Sequence, residues 1–163
     1  MKIMIFTQGT ILMHKNASGL GREEIVKQVE SKESSVKDYA SYIPVGNAVN
    51  KINSWKKQGV EIIYLTSCKT EKEVEDIKEV LAKYSFPSGQ LLKRENNEEY
   101  KDVAEKIMPN ILIEDDCESI GGINEMTYTH INSGLKSKIK SVPIKEFGGI
   151  DHLPNSIEDL KAL

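Results

Sequence analysis

Residues 3–10 read Ile-Met-Ile-Phe-Thr-Gln-Gly-Thr, an apolar run that ends in polar residues. Three later stretches repeat this arrangement: residues 62–68 read Ile-Ile-Tyr-Leu-Thr-Ser-Cys, residues 90–94 read Gln-Leu-Leu-Lys-Arg, and residues 111–117 read Ile-Leu-Ile-Glu-Asp-Asp-Cys. Short apolar runs of this kind predict buried strands. Ligands of open parallel sheets bind beyond the carboxyl ends of the strands, so we expect these polar residues to meet at one site.

Helical patterns separate the strands. Apolar residues at three- and four-residue steps predict helices over 45–59, 70–84 and 98–109, and the second of these begins with Thr-Glu-Lys-Glu, a capping-box sequence. A last strand is predicted around 139–145, with a terminal helix from Asn155. Strands that alternate with helices predict an α/β three-layer sandwich with a central parallel sheet, which is a Rossmann-like architecture.

One segment, residues 13–44, fits this alternation least well. It carries a predicted helix over 23–30, a polar loop, and a second short helix over 36–42. We expect a single domain of residues 1–163 in which this segment is a small helical insertion after the first strand. The insertion is either a cap or flap over the carboxyl edge of the sheet or an ordinary surface excursion.

The composition argues against several classes of partner. A formal net charge of −3 gives no electrostatic reason to expect nucleic acid. No apolar run approaches the roughly 20 residues that span a bilayer, so we expect no membrane partner. The only cysteines, Cys68 and Cys117, do not make a disulfide framework and are not spaced like a paired Cys-x-x-Cys metal knuckle. A cytoplasmic location is therefore expected.

Three consecutive acids, Glu114, Asp115 and Asp116, end an apolar strand. Adjacent carboxylates repel one another unless a cation or a shared proton lies between them. Mg²⁺ is typically held by one or two carboxylates together with substrate phosphate and water. These residues are therefore candidate metal ligands. The alternative is that they open the following helix, whose dipole they would complement.

A second candidate cluster would bind an anion. Thr66 and Ser67 end a buried strand and offer hydroxyl and backbone N–H groups to an oxyanion, although capping of a helix explains them as well. Lys101, near the start of the helix before the acidic strand, would supply a positive charge, and Lys93 and Lys106 are the alternatives. A lysine on a helix is otherwise an ordinary solvated charge.

The order of these features resembles the four motifs of the haloacid dehalogenase-like (HAD) superfamily. In that family the first strand ends in Asp-x-Asp-Gly-Thr, the second motif is a Thr or Ser after an apolar strand, the third is a Lys, and the fourth is an acidic pair. The resemblance covers about residues 1–120. It implies a HAD-like fold and a phosphatase or other hydrolase that works through an aspartyl-phosphate. Mg²⁺ would bridge the nucleophile, the substrate phosphate and the fourth-motif acid.

The first motif departs from the family pattern. Alignment of Gly9 and Thr10 with the family's Gly-Thr places Phe6 at the nucleophilic Asp and Gln8 at the general acid/base Asp. Phenylalanine neither attacks phosphorus nor binds a metal, and glutamine has no titratable proton near neutral pH. The resemblance therefore implies lost covalent catalysis, weakened Mg²⁺ binding and no confident catalytic residue. Gly9 and Thr10 would still join Thr66, Ser67 and Lys101 in binding phosphate.

Three functions remain consistent with these residues. The first is a HAD-like protein with degraded phosphatase chemistry that still binds a small phosphorylated molecule or another anion. The second is an active Mg²⁺-dependent phosphoesterase that uses a metal-bound water held by Glu114, Asp115 and Asp116. The third is a non-catalytic interaction module. Whether the chain is an enzyme is left open by the sequence.

Overall fold

The computed structural model describes residues 1–163, and its strands form two sheets. The strands are β1 (Lys2–Phe6), β2 (Leu12–Met13), β3 (Ile43–Pro44), β4 (Glu61–Leu65), β5 (Gln90–Leu92), β6 (Ile111–Asp115) and β7 (Lys140–Ile144). Five of them form a parallel sheet in the order β5-β4-β1-β6-β7, while β2 and β3 pair antiparallel. β1 is the central strand, so its carboxyl end lies between those of β4 and β6.

The helices confirm the predicted alternation. They are α1 (Arg22–Glu30), α2 (Ala48–Lys57), α3 (Glu71–Lys83), α4 (Tyr100–Ile107), α5 (Thr127–His130), α6 (Ser133–Lys136) and α7 (Ile157–Ala162). The sequence patterns do not predict the single-turn helices α5 and α6. The predicted second short helix over 36–42 is instead two 3₁₀ turns, Ser34–Lys37 and Tyr39–Ser41. None of the helices has the length and hydrophobicity needed to cross a membrane.

The two faces of the sheet bury separate hydrophobic clusters, which confirms the three-layer architecture. Alternate residues of a strand point to opposite faces. Ile3 and Ile5 accordingly join a cluster with Trp55 of α2 and Ile77 of α3, whereas Met4 joins a second cluster with α4. A buried strand that is apolar at every position therefore serves both layers.

The insertion after β1 is tied to the carboxyl edge of the sheet. Residues 14–42 form α1 and three 3₁₀ turns, and they lie between the two strands of the small antiparallel sheet. The Val45 N–H donates to the Ile11 carbonyl across 2.9 Å, next to that pairing. Because β2 begins six residues after the end of β1, the insertion starts and ends beside the polar strand ends.

Candidate functional site

A cavity of about 180 Å³ lies at the carboxyl edge of the parallel sheet. Its floor comes from residues that end or follow β1, β4 and β6, which include Gln8, Gly9, Ser67, Glu114 and Asp115. Its roof comes from the insertion and consists of His14, Val29, Val36, Tyr39 and Tyr42. The insertion therefore lies over the polar strand ends rather than away from them.

Gln8 bridges the ends of β1 and β4. Its Nε2 donates to Thr66 Oγ1 at 2.8 Å, and its Oε1 accepts from the Ser67 N–H at 3.0 Å and from the Thr7 hydroxyl at 2.6 Å. The Thr66 hydroxyl also accepts from the Cys68 N–H at 3.2 Å. The groups that the sequence predicts to bind an anion are thus hydrogen-bonded to this chain's own amide.

Phe6 belongs to an aromatic wall of the cavity. Its ring meets Tyr100 of α4 edge-on, with centroids 5.0 Å apart and an interplanar angle of 78°. The guanidinium of Arg94 lies 4.1 Å from the centroid of the Tyr100 ring. Edge-to-face aromatic pairs and cation–π contacts are both attractive. Phe6 therefore has a packing role at the position that the family resemblance assigns to a nucleophile.

Asp115 lies against the turn that follows β1. It is buried, and its Oδ2 accepts from the Thr10 hydroxyl at 2.8 Å while its Oδ1 accepts from the Cys117 N–H at 3.0 Å. Gly9 has a φ of +82°, and a Cβ there would lie 2.8 Å from Asp115 Oδ2. Burial raises the pKa of Asp115, and the Thr10 hydrogen bond opposes that rise. Gly9 is needed both for the turn and for this close approach.

The other two acids of the triplet have separate structural partners. Glu114 is buried and accepts from the Thr127 and Tyr128 N–H groups at 2.7 and 2.8 Å, so it caps α5, and burial raises its pKa. Asp116 lies outside the cavity and accepts from Lys145 Nζ at 2.9 Å and from the Glu146 N–H at 3.0 Å. Partial burial acts to raise its pKa, but those hydrogen bonds and the Lys145 charge lower it overall.

None of the three candidate lysines lines the cavity. Lys101 pairs with Glu99 at 3.2 Å, Lys93 pairs with Glu71 and Glu95, and Lys106 pairs with Glu98. The expectation that Lys101 joins Thr66 and Ser67 is therefore not met. Successive residues of a helix point about 100° apart, and here it is Tyr100, one position earlier, that lines the cavity.

Mg²⁺, which the resemblance to the HAD superfamily implies, does not fit these residues. Phe6 offers no side-chain oxygen, Glu114 caps a helix, and Asp116 pairs with Lys145. Asp115 remains, but both of its oxygens already accept hydrogen bonds. Mg²⁺ demands near-ideal octahedral coordination by oxygen, and one carboxylate that already has two hydrogen-bond partners does not provide it.

Neither cysteine is placed as a reactive thiol. Burial raises the pKa of Cys68 to about 11. Burial, followed by the charges of Asp115 and Glu114, also raises the pKa of Cys117. The thiolate is the form that attacks an electrophile or binds a metal, and both thiols stay protonated at neutral pH. No group of three or more His, Cys, Asp or Glu side chains is arranged to hold a metal ion.

Glu146 and Thr127 are cavity residues that the sequence patterns do not identify. Glu146 follows β7, and its carboxylate accepts from the Ser119 N–H at 2.7 Å and from the Ser119 hydroxyl at 2.6 Å. Burial raises its pKa. The rule that polar residues at strand ends meet at one site applies equally to β7 and would have found Glu146. Thr127 begins α5, and no pattern marks that single-turn helix.

Solved structures with the same fold include HAD-type hydrolases. A HAD hydrolase of family IA, variant 3, from Entamoeba histolytica has a TM-score of 0.54 and 12% identity, covering 99% of this chain and 97% of that one. A class C acid phosphatase from Bacillus anthracis with tungstate bound has a TM-score of 0.55 and 13% identity, covering 91% and 68%. The predicted HAD-like fold is therefore confirmed. At such low identity the likeness establishes the fold alone.

A chain of the Pnkp1/Rnl/Hen1 RNA repair complex matches as well, with a TM-score of 0.56 and 14% identity. The match covers 89% of this chain but only 43% of that one, so this chain spans less than half of its length. No protein-family model and no curated protein matches the sequence.

Proposed function

We propose that this chain, whose fold is HAD-like, binds a small molecule in the cavity beneath its insertion and does not hydrolyse phosphoesters. The observation that carries the proposal is the Gln8 amide, which holds both Thr66 and Ser67. A phosphoryl group would have to displace that amide before it could accept from the Ser67 N–H or contact the Thr66 hydroxyl oxygen. The cavity itself remains open, with about 180 Å³ bounded by the insertion.

The absence of covalent chemistry follows from the residues that end β1. Phe6 packs on Tyr100 and supplies no nucleophile, and Gln8 supplies no general acid or base. Asp115 is held by Thr10 and the Cys117 N–H, with its pKa raised by burial. A metal-bound water would need several free oxygen ligands, but both oxygens of Glu114 accept from N–H groups of α5, and Asp116 lies outside the cavity.

A phosphorylated ligand is disfavoured by charge. No lysine or arginine lines the cavity, whereas four acids do: Glu114, Asp115, Glu125 and Glu146. Phosphate-binding sites ordinarily combine backbone N–H groups with Lys or Arg side chains. The proposal therefore keeps the prediction that the chain binds a small molecule, but not the prediction that this molecule is an anion.

The proposal is tested by ligand-observed NMR with a fragment set that includes anions, neutral molecules and cations. Val29→Trp would fill the cavity from the roof, since Val29 is a half-buried lining residue of α1. Lys27→Trp on the exposed side of the same helix is the matched control. We expect at least one fragment class to bind the wild type and the control but not Val29→Trp.

Two results would contradict the proposal. Binding that Val29→Trp leaves intact would place the ligand outside the cavity. Failure of every fragment class to bind would favour the interaction-module hypothesis. The first surface to test would then be the exposed Ile120, which lines the cavity, and the exposed Ile123 three residues later.

A further inference from the structure

We infer that the ligand of this cavity is a small organic cation, an amine or ammonium ion with a short apolar part. The inference rests on the proposed binding function and adds the chemical class of the ligand. Three features carry it: buried carboxylates without a counter-ion, aromatic walls, and a buried hydroxyl without a partner.

The first feature is uncompensated negative charge. Glu114, Asp115 and Glu146 are 2%, 5% and 6% exposed, and all three line the cavity. Every hydrogen bond that their carboxylates accept comes from a neutral N–H or O–H group. A buried carboxylate without an opposite charge is costly, so a cation in the cavity would be stabilising.

Two cations near these acids pair with other acids, and a third, Arg94, lies against the Tyr100 ring and pairs with no carboxylate. Lys145 pairs with Asp116, and Arg22 pairs with Glu118. No lysine or arginine of the chain lines the cavity. His14 is the one lining side chain able to carry a positive charge, and its Nε2 lies 2.8 Å from Gln28 Oε1 rather than beside a carboxylate. Asp116 and Glu118 are therefore paired with cations of this chain, whereas Glu114, Asp115 and Glu146 in the cavity are not.

The second feature is the aromatic content of the walls. Five of the chain's ten aromatic residues line the cavity, namely Phe6, Tyr39, Tyr42, Tyr100 and Phe147. Aromatic rings attract ammonium ions through their electron-rich faces, and groups of such rings recognise alkylated ammonium ions. Rings combined with carboxylates suit a cation that carries alkyl groups better than a bare metal ion.

The third feature is the Thr127 hydroxyl. Thr127 is 2% exposed and lines the cavity, and its Oγ1 is the one buried side-chain oxygen or nitrogen without a hydrogen-bond partner. Buried polar groups are nearly always hydrogen-bonded. The Thr127 hydroxyl lies close enough to the Glu114 carboxylate to lower its pKa but makes no hydrogen bond of good geometry, so a ligand group can complete its bonding. An ammonium N–H or a ligand hydroxyl would satisfy it.

The size of the cavity limits the ligand. Pockets for drug-sized ligands run to roughly 300–1,000 Å³, so about 180 Å³ suits a few heavy atoms and excludes a nucleotide. The probes that match this chemistry are choline and butylammonium. Dimethylbutanol, in which carbon replaces the choline nitrogen, and butanol are their uncharged counterparts, and inorganic phosphate is the anionic one.

The test is titration calorimetry of wild type with these five probes, followed by three variants. We expect an ammonium probe to bind at least about tenfold more tightly than its uncharged counterpart. Asp115→Asn should weaken ammonium binding by about tenfold. Its Nδ2 can donate to the Thr10 hydroxyl oxygen while its Oδ1 accepts from the Cys117 N–H, so the fold is retained. Asp116→Asn removes the same charge one residue away and should change nothing.

Tyr39→Leu is a second variant that leaves every acid in place. It should weaken binding of the ammonium probe more than binding of the uncharged one. Equal affinity for charged and uncharged probes, or equal effects of Asp115→Asn and Asp116→Asn, would overturn the cation inference while leaving the proposed binding function standing. If no probe and no fragment of any charge binds, both fail together.

Discussion

The Gln8 side chain donates a hydrogen bond from Nε2 to Thr66 Oγ1 across 2.8 Å, and so joins the carboxyl ends of two neighbouring strands. The same amide accepts from the Ser67 N–H at 3.0 Å. The Gln8 amide thus occupies the Thr66 hydroxyl oxygen and the Ser67 N–H, two of the groups that the sequence predicts to bind an anion.

Gln8→Ala should destabilise the protein because Thr66 and Ser67 lose these partners. An unsatisfied part-buried polar group costs about 1–3 kcal/mol, and we expect a loss of unfolding free energy in that range by urea denaturation. Gln90→Ala, at an exposed glutamine, should cost below about 0.5 kcal/mol. If the two variants were equally stable, the hydrogen bonds of Gln8 to Thr66 and Ser67 would not contribute to the stability of the protein.

Gly9→Ala should cost more than Gly19→Ala. Both glycines have positive φ values, +82° and +76°, and an L-residue there is strained by about 1–2 kcal/mol. Only at Gly9 would the new Cβ also meet Asp115, at 2.8 Å, whereas nothing lies within 4 Å at Gly19. Equal losses of unfolding free energy in the two variants would mean that Asp115 does not press against this turn.

Glu114→Gln should destabilise the protein even though it removes a buried charge. The amide nitrogen of glutamine would face one of the two N–H groups, of Thr127 or Tyr128, that Glu114 now accepts from. A cost of about 1–3 kcal/mol follows from the unpaired donor. Glu125→Gln, at an exposed acid, is the control. If Glu114→Gln were as stable as wild type, the hydrogen bonds from Glu114 to α5 would not be needed for stability. The wild-type carboxylate would then be available for another role, including metal binding.

Asp115 and Asp116 should give opposite dependences of stability on pH. Burial raises the folded-state pKa of Asp115 above the ordinary 3.8, so the stability contributed by its protonated form is lost as pH rises through that raised value. The pKa of Asp116 is lowered by its hydrogen bonds and Lys145, so its contribution is present above 3.8 and is lost as pH falls.

Denaturation at about pH 3 and about pH 7 measures this contrast in Asp115→Asn and Asp116→Asn. Relative to wild type, the first variant should gain stability as pH rises from 3 to 7, and the second should lose it. Shifts of the same sign in both variants would mean that the two carboxylates do not differ in environment.

The fold could be predicted because its signals are local and repeated. Ile3, Met4 and Ile5 read as a fully buried strand, and the structure divides them between the two clusters on either face of the sheet. The segment over 36–42 is the exception, since its 3₁₀ turns follow from packing over the cavity, where Tyr39 and Tyr42 lie.

The site could be predicted in position but less well in its contacts. Glu114 and Asp115 both line the cavity whereas Asp116 lies outside it, and the alternation of side chains along a strand does not predict this division. The long-range partners could not be predicted either: the pairing of Gln8 with Thr66, and of Asp116 with Lys145, depends on which strands become neighbours.

The most direct test of the central claim is the hydrolysis of a generic phosphomonoester, such as nitrophenyl phosphate, with and without added Mg²⁺. Wild type and Asp115→Asn are compared in parallel at equal concentration. The account predicts no Mg²⁺-dependent turnover by wild type above that of the variant. Mg²⁺-dependent turnover that Asp115→Asn abolishes would contradict it and would establish an active phosphoesterase on this fold.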